Sequence, residues 1–297
     1  MPLVSFGEIV AEAEQGQYAV GYFESWNLES LLAVADAAEA VRSPVILGFS
    51  GIYLPHPERL VKERLGVYAV LGLEICRNLA VPVCLLFNES DQLDWVFDAI
   101  DQGFNLVMFT DESLDLQEQT RRTAQVVKKA HARSVAVEGE ITSLLPGVID
   151  DAPGVTIDDP VVARDFVKRT GVDALAVSVG QAHVHGREQV RLNLSRLQEL
   201  REAVPVPLVL HGATSVYPAD MVEAIRLGIR KINVGSVLKR TYFETMRDAS
   251  VQAGDDYSPY EVIGSGMDGD VLTVARVALQ RTVEDLMRLY GSAGKAV

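Results

Sequence analysis

Three histidines in two stretches carry the pattern in this chain most capable of chemistry. The run PVPLVLHGATS, residues 205 to 215, is apolar until it stops on His211 and Gly212, and DALAVSVGQAHVHG, Asp173 to Gly186, stops in the same way on His183 and then His185. Such apolar runs read as strands buried on both faces, so a histidine at the carboxyl end emerges where the strand meets solvent. Two neighbouring strands that each end in histidine point to a metal site or an acid/base site. Either chemistry needs further polar groups gathered at the same end of the sheet.

The elements that must position them can be followed along the chain. Residues 6 to 16 read as a short helix, Tyr18 to Phe23 as a first strand ending at Glu24, and Asn27 precedes an alanine-rich helical run. Pro44 to Ser50 is a second strand, a helical pattern reaches about Ala80, and Val81 to Asn88 is a third strand with the polar end Asn88, Glu89, Ser90. Asp91 is placed to cap a helix through Asp101, Asn105 to Thr110 is a fourth strand, and residues 115 to 132 form another helix. Ser134 to Ile141 is a fifth strand with Glu138 and Glu140 in alternation. The proline-rich stretch that follows, holding Asp150 and Asp151, reads as a long loop and a candidate lid. Pro160 starts a helix to about Thr170, Ala174 to Gly180 is strand six, Leu194 to Val204 is helical, and the His211 stretch is strand seven. Ala219 to Leu227 is helical, Lys231 to Ser236 is strand eight, and helices near 237 to 249 and 269 to 290 flank a polar break around Gly254 to Ser258.

Eight strands alternating with helices call for a parallel sheet of the α/β class, and the count matches a (β/α)8 barrel, a TIM barrel. No glycine-rich dinucleotide fingerprint follows an early strand, which argues against a doubly wound open sheet. In a barrel all the carboxyl ends converge, so Glu24, Ser50, Asn88, Glu89, Thr110, Glu140, His183, His211, Asn233 and Ser236 are expected around one pocket. One domain is expected for residues 1–297, with the barrel over about 15–250 and a helical extension over about 251–297.

Composition narrows the partners. With 27 Lys and Arg against 41 Asp and Glu, the formal net charge is -14, which opposes nonspecific attraction to nucleic acid and to anionic membranes. The two cysteines, Cys76 and Cys84, form no disulfide framework or metal knuckle and read as buried thiols of a reducing compartment. The amino-terminal stretch has no basic segment followed by an apolar core, and no run of 18 uncharged apolar residues occurs. A cytoplasmic protein is the expectation.

YAVGYF, SPVIL, VPV, VMF, AHARSVAVEGE, DALAVSVGQAH, LVLHGA and LGIRKINV, in this order from about Leu3 to Lys239, resemble the segments of the class II, metal-dependent ketose-bisphosphate aldolases, in particular the fructose and tagatose branch. The resemblance implies that His183 and His211 bind a divalent metal, most simply zinc, and that Glu140 lies near it. It also implies a turn at Gly212, Ala213 and Thr214 and another at Asn233 to Ser236 that cradle a phosphate, with Ser50 facing the substrate. The family's strand three ends in a pattern like HLDHG, whereas this chain reads LFNES. Asn88 therefore takes the place of the proton-transferring aspartate and Glu89 that of a metal-binding histidine, and Thr110 stands where the family usually carries aspartate.

An amide cannot shuttle a proton at neutral pH, so altered acid/base chemistry is expected. Glu89 is a candidate oxygen ligand or a new base, and His185, which has no family counterpart, a candidate substitute acid/base. His56 and His131 read as solvated. The expectation is a metal-dependent carbon–carbon lyase, or related isomerase, for a small phosphorylated ketose or polyol, in which a divalent ion polarises a carbonyl. The alternative is a catalytically silent barrel that binds a sugar phosphate or a partner protein. Similar aldolases imply a homo-dimer or homo-tetramer, with the helices after Ser258 as candidate packing surfaces.

Overall fold

The computed structural model describes residues 3–141, 157–181 and 189–296. In chain order these form α1 (Phe6–Gly16), β1 (Val20–Phe23), α2 (Leu28–Ala40), β2 (Val45–Ser50), α3 (Leu65–Asn78), β3 (Val83–Ser90), α4 (Leu93–Gln102), β4 (Leu106–Phe109), α5 (Leu116–His131) and β5 (Ala136–Glu140). They continue as α6 (Pro160–Thr170), β6 (Ala174–Val177), α7 (Leu194–Ala203), β7 (Leu208–Leu210), α8 (Pro218–Arg226), β8 (Ile229–Val234), α9 (Ser236–Ala253), α10 (Pro259–Val262) and α11 (Val271–Leu289). The eight strands close into a barrel in sequence order, every neighbouring pair parallel, and β8 returns to β1 in the register Val20↔Lys231 to Phe23↔Val234. This is the expected TIM barrel with C-terminal helices, and closure leaves the sheet no open edge.

Alternation along each strand divides the core in two. Inward positions such as Val20, Ile46, Cys84, Leu86, Leu106, Ala174, Ala176 and Val209 fill the barrel interior. Outward positions such as Phe23, Phe49, Phe87, Phe109, Leu175 and Leu210 pack beneath the helices. Helix α1 opens on a capping box between Ser5 and Glu8 and buries Phe6, Ile9, Val10 and Ala13 against the interior group. It thereby covers the amino-terminal face of the barrel, while the polar strand ends lie at the other face.

Helix starts follow local chemistry. Asn27, Asp115, Asp159 and Asp270 each accept backbone N–H groups of the first turn of α2, α5, α6 and α11. Helix α4 differs from the sequence expectation. Its cap position is Gln92 rather than Asp91, because β3 runs on to Ser90, whose hydroxyl accepts from the Gln92 N–H at 3.3 Å. Strand β8 ends at Val234, so Ser236 opens α9 rather than closing the strand.

The C-terminal helix is part of the barrel's outer layer. Helix α11 lies against α2 and α9 and buries Ala275, Leu279, Val283 and Met287. Tyr290 stacks on Phe23 of β1 with ring centroids 6.4 Å apart, its carbonyl accepts from the Ala19 N–H at 3.1 Å, and Arg276 pairs with Asp36 of α2. No helix among the described residues is long and apolar enough to cross a membrane.

Candidate active site

Residues facing the barrel axis turn from apolar to polar as the strands rise, Leu86 to Asn88 in β3, Ala136 to Glu138 to Glu140 in β5 and Val209 to His211 at the end of β7, while β8 contributes Lys231 and Asn233. The uppermost of these, Asn88, Glu140, His211 and Asn233, line a pocket of about 520 Å³ together with the adjoining loops.

His211 is its centre, with a side chain only 3% exposed. Nε2 lies 2.7 Å from Glu138 Oε1, and Nδ1 lies 3.1 Å from Glu89 Oε1 and 3.9 Å from Glu140 Oε1. Burial works against a charged ring, but Glu89 and Glu138 overcome it and push the pKa up to about 10. Gly212, which follows, adopts φ 64, a left-handed conformation that a glycine enters without strain.

Beneath the histidine lies a fully buried ion pair. Lys231 Nζ is 2.7 Å from Glu138 Oε2 and also donates to Asn233 Oδ1, and the Asn233 amide is 2.9 Å from His211 Nε2. Burial opposes ionisation of Glu138, but the Lys231 ammonium and the His211 ring hold its pKa below the ordinary carboxylate value. Glu138 is thus a fixed anion that anchors one edge of the imidazole and leaves the other edge facing the pocket.

Glu89 owes its aim to a backbone irregularity. The β3–β4 register shifts between Phe87 and Ser90, and Glu89 takes φ 53, which is uncommon for a residue with a side chain. Such strain persists where the surroundings over-determine it, and here it turns both Asn88 and Glu89 into the pocket. Asn88 donates from Nδ2 to Glu89 Oε2 at 2.5 Å and accepts from Asn233 at 3.4 Å. Glu140 accepts from the Thr110 hydroxyl at 3.2 Å, and burial raises its pKa to about 8 against the pull of the His211 ring.

The donor set suits a divalent cation in kind, provided the ion displaces the proton from His211 Nδ1: an imidazole edge and carboxylate oxygens of Glu89 and Glu140 turned toward it. Among the described residues, however, no group of three or more His, Cys, Asp and Glu side chains is spaced to hold a metal ion. The fit therefore needs a further ligand, and His183 lies outside the described residues, as do His185, Asp150 and Asp151.

Of the other residues anticipated from sequence, Ser50, Gly212, Thr214, Asn233 and Ser236 all line the pocket, as do Glu24 and Thr110. Gly212 and Thr214 belong to the turn after β7, and Ser236 opens the 18-residue α9, whose first turn has no side-chain cap and so presents N–H groups suited to an anion. His56 is exposed, and His131 pairs with Asp173 at 2.9 Å on the surface, both away from the pocket. Sequence reasoning missed Lys231, Tyr53, Glu112, Lys239 and Arg240, and gave Glu138 no role. Charged residues at inward positions two before Glu140 and Asn233 were the available signal for Glu138 and Lys231.

A family model described as "Fructose-bisphosphate aldolase class-II" matches residues 4–295. The chain is 36% identical over 302 aligned positions to the fructose-bisphosphate aldolase of Geobacillus stearothermophilus, covering 100% of this chain and 99% of that protein. It is 32% identical to the fructose-bisphosphate aldolase of Staphylococcus epidermidis, with 100% of both chains covered. Among solved structures, the YdjI aldolase from Escherichia coli K12 superposes with a TM-score of 0.80 at 28% identity, covering 99% of this chain and 100% of that one.

Proposed function

Because this chain belongs to the class II fructose-bisphosphate aldolase family, we propose that it is a divalent-metal-dependent lyase that cleaves a carbon–carbon bond of a phosphorylated ketose, with its proton handling moved from position 88 to Glu89. The observation that carries this reading is the His211 ring held at Nε2 by Glu138 and faced at Nδ1 by Glu89, on the floor of the pocket. His211, His183 and Glu140 would hold the ion, with zinc the simplest choice for such donors. When bound, the ion supplies Lewis-acid polarisation of a substrate carbonyl.

The chain's own groups do the rest. Cleavage requires one proton to leave the hydroxyl beta to the carbonyl as the bond breaks, and one to be returned to the carbon released. Asn88 carries no exchangeable acid at neutral pH, so it orients rather than transfers, donating its N–H to Glu89. Glu89, with its side chain 24% exposed against 7% for Glu140, is the carboxylate that reaches the substrate. Glu138 and Lys231 keep the imidazole fixed from below. The turns at Gly212 to Thr214 and at Ser236 take the phosphate.

Protein purified without chelator and assayed on ketose phosphates, with and without added zinc, tests the reading. About one divalent ion per chain and zinc-dependent cleavage support it, whereas a chain that takes up no metal contradicts it. A silent sugar-phosphate-binding barrel is the second reading, favoured by the amide at Asn88. Zinc-dependent turnover that disappears in His211→Ala excludes it. A single domain over residues 1–297, a cytoplasmic location and a homo-dimer or homo-tetramer complete the proposal.

A further inference from the structure

The pocket continues, between the ends of β1 and β2, into a side recess of about 340 Å³ lined by Glu24, Trp26, Ser50, Tyr53, Arg59 and Lys239. Its two cations are already matched by carboxylates. Lys239 Nζ is 2.6 Å from Glu24 Oε1, and Arg59 Nη2 is 2.6 Å from Glu63 Oε1. Arg59 also spends Nε on the Val61 carbonyl at 3.1 Å and Nη1 on the Tyr53 carbonyl at 3.2 Å. The Lys239 ammonium sits over the Tyr53 ring at 4.4 Å and 6.0 Å from the Trp26 ring. Gly235 leaves room for the Glu24 carboxylate, since a Cβ there would lie 2.5 Å from its Oε2.

A phosphate dianion entering this recess would face the Glu24 carboxylate and meet cations whose charge is spent. A chain of hydroxyl groups meets complementary surfaces, because carboxylate and Ser50 oxygens accept hydroxyl hydrogens and the Trp26 and Tyr53 rings pack on C–H faces. The other arm of the pocket, at the turn after β7 where Gly212 and Thr214 line it, lies away from Glu24 and offers the backbone N–H groups an anion needs.

From this asymmetry we infer that the recess between β1 and β2 reads an uncharged polyol end, so that the site takes a ketose carrying one phosphate in preference to a ketose bisphosphate, with Glu24 as the residue that excludes the second phosphate. This deepens the aldolase reading and rests on it for the placement of the first phosphate.

The test is a binding measurement on the zinc-loaded protein, so it does not depend on turnover. Trp26 and Trp95 are the only two tryptophans, and Trp95→Phe leaves Trp26 as a reporter inside the recess. Its fluorescence is titrated with the 1-phosphates and 1,6-bisphosphates of the four ketohexose epimers at low ionic strength. The expected result is that for at least one epimer the monophosphate binds at least about tenfold more tightly, and that Glu24→Gln narrows this to within about threefold by tightening the bisphosphate. Bisphosphates that bind as well as their monophosphates for all four epimers in the parent protein, a preference unmoved by Glu24→Gln, or no response to any of the eight ligands overturns the inference. A clear binding preference without any cleavage would instead refute the lyase reading and leave the selectivity standing.

Discussion

Replacing Glu138 by glutamine tests the buried pair on which the candidate site rests. Glu138 and Lys231 are both fully buried with 2.7 Å between their charged groups, and the substitution keeps the shape of the side chain while removing its charge. It leaves the Lys231 ammonium with neutral acceptors in place of its counter-ion and removes the anion that anchors His211. Breaking one side of such a pair costs about 3–5 kcal/mol. At an unfolding entropy of about 2.1 cal/mol/K per residue, a chain of this length loses about 1.6 °C per kcal/mol, so Tm falls by about 5–8 °C. Lys231→Met costs less, because Glu138 retains the His211 ring as a counter-ion. The double variant falls short of the sum of the singles by about 2–3 kcal/mol. Denaturant unfolding followed by circular dichroism at pH 7, with chelator present so that ligand binding does not mask the loss, measures all four proteins. A Glu138→Gln cost under about 1 kcal/mol, or additive singles, would refute the idea that this pair is a coupled unit.

Other outcomes follow from the same coordinates. Leu279→Ala, which opens space beneath α11 against α2 and α9, should cost about 2–5 kcal/mol in the same unfolding assay; a loss below 1 kcal/mol would mean that α11 does not belong to the cooperative core. Asp270→Ala should cost about 1 kcal/mol at pH 7, since Asp270 accepts from the N–H groups of Leu272 and Thr273 and from Gly266. Burial opposes ionisation of Asp270, but those amides hold its pKa below 3.8. Its contribution is therefore present above pH 3.8 and lost as pH falls through the folded value, so the gap between parent and variant should close at low pH; a gap that widens on acidification contradicts the capping assignment. Cys76 and Cys84 are fully buried, and burial pushes the Cys76 thiol up to about 12 and Cys84 higher still, so a thiol reagent should label neither until the chain unfolds.

The barrel was legible because its strands are continuous apolar runs and its helices carry ordinary start signals at Asn27, Asp115 and Pro160. Boundaries failed where polar residues extend a strand: β3 continues through Asn88 and Glu89 to Ser90, and nothing in a string of polar residues announces a register shift or the positive φ of Glu89. The gathering of Ser50, Asn88, Glu89, Glu140, His211 and Asn233 followed from convergence of strand ends, a property of topology rather than of any one segment. The pairing of His211 with Glu138, and of Glu24 with Lys239, did not follow. Those contacts join residues 73 and 215 positions apart, and their partners are chosen by side-chain reach across the barrel mouth. The C-terminal helix was found as a helix but not as the layer over β1, because its apolar stripe is equally compatible with a partner chain.

The central claim is that Glu89 moves the proton while other residues hold the ion. Glu89→Gln, loaded with zinc and assayed on a ketose phosphate that the parent cleaves, separates those roles. The account predicts about one zinc per chain in parent and variant alike, with kcat lowered by about 10²–10⁴. Zinc content that collapses in Glu89→Gln, or a kcat within a few-fold of the parent's, would contradict it.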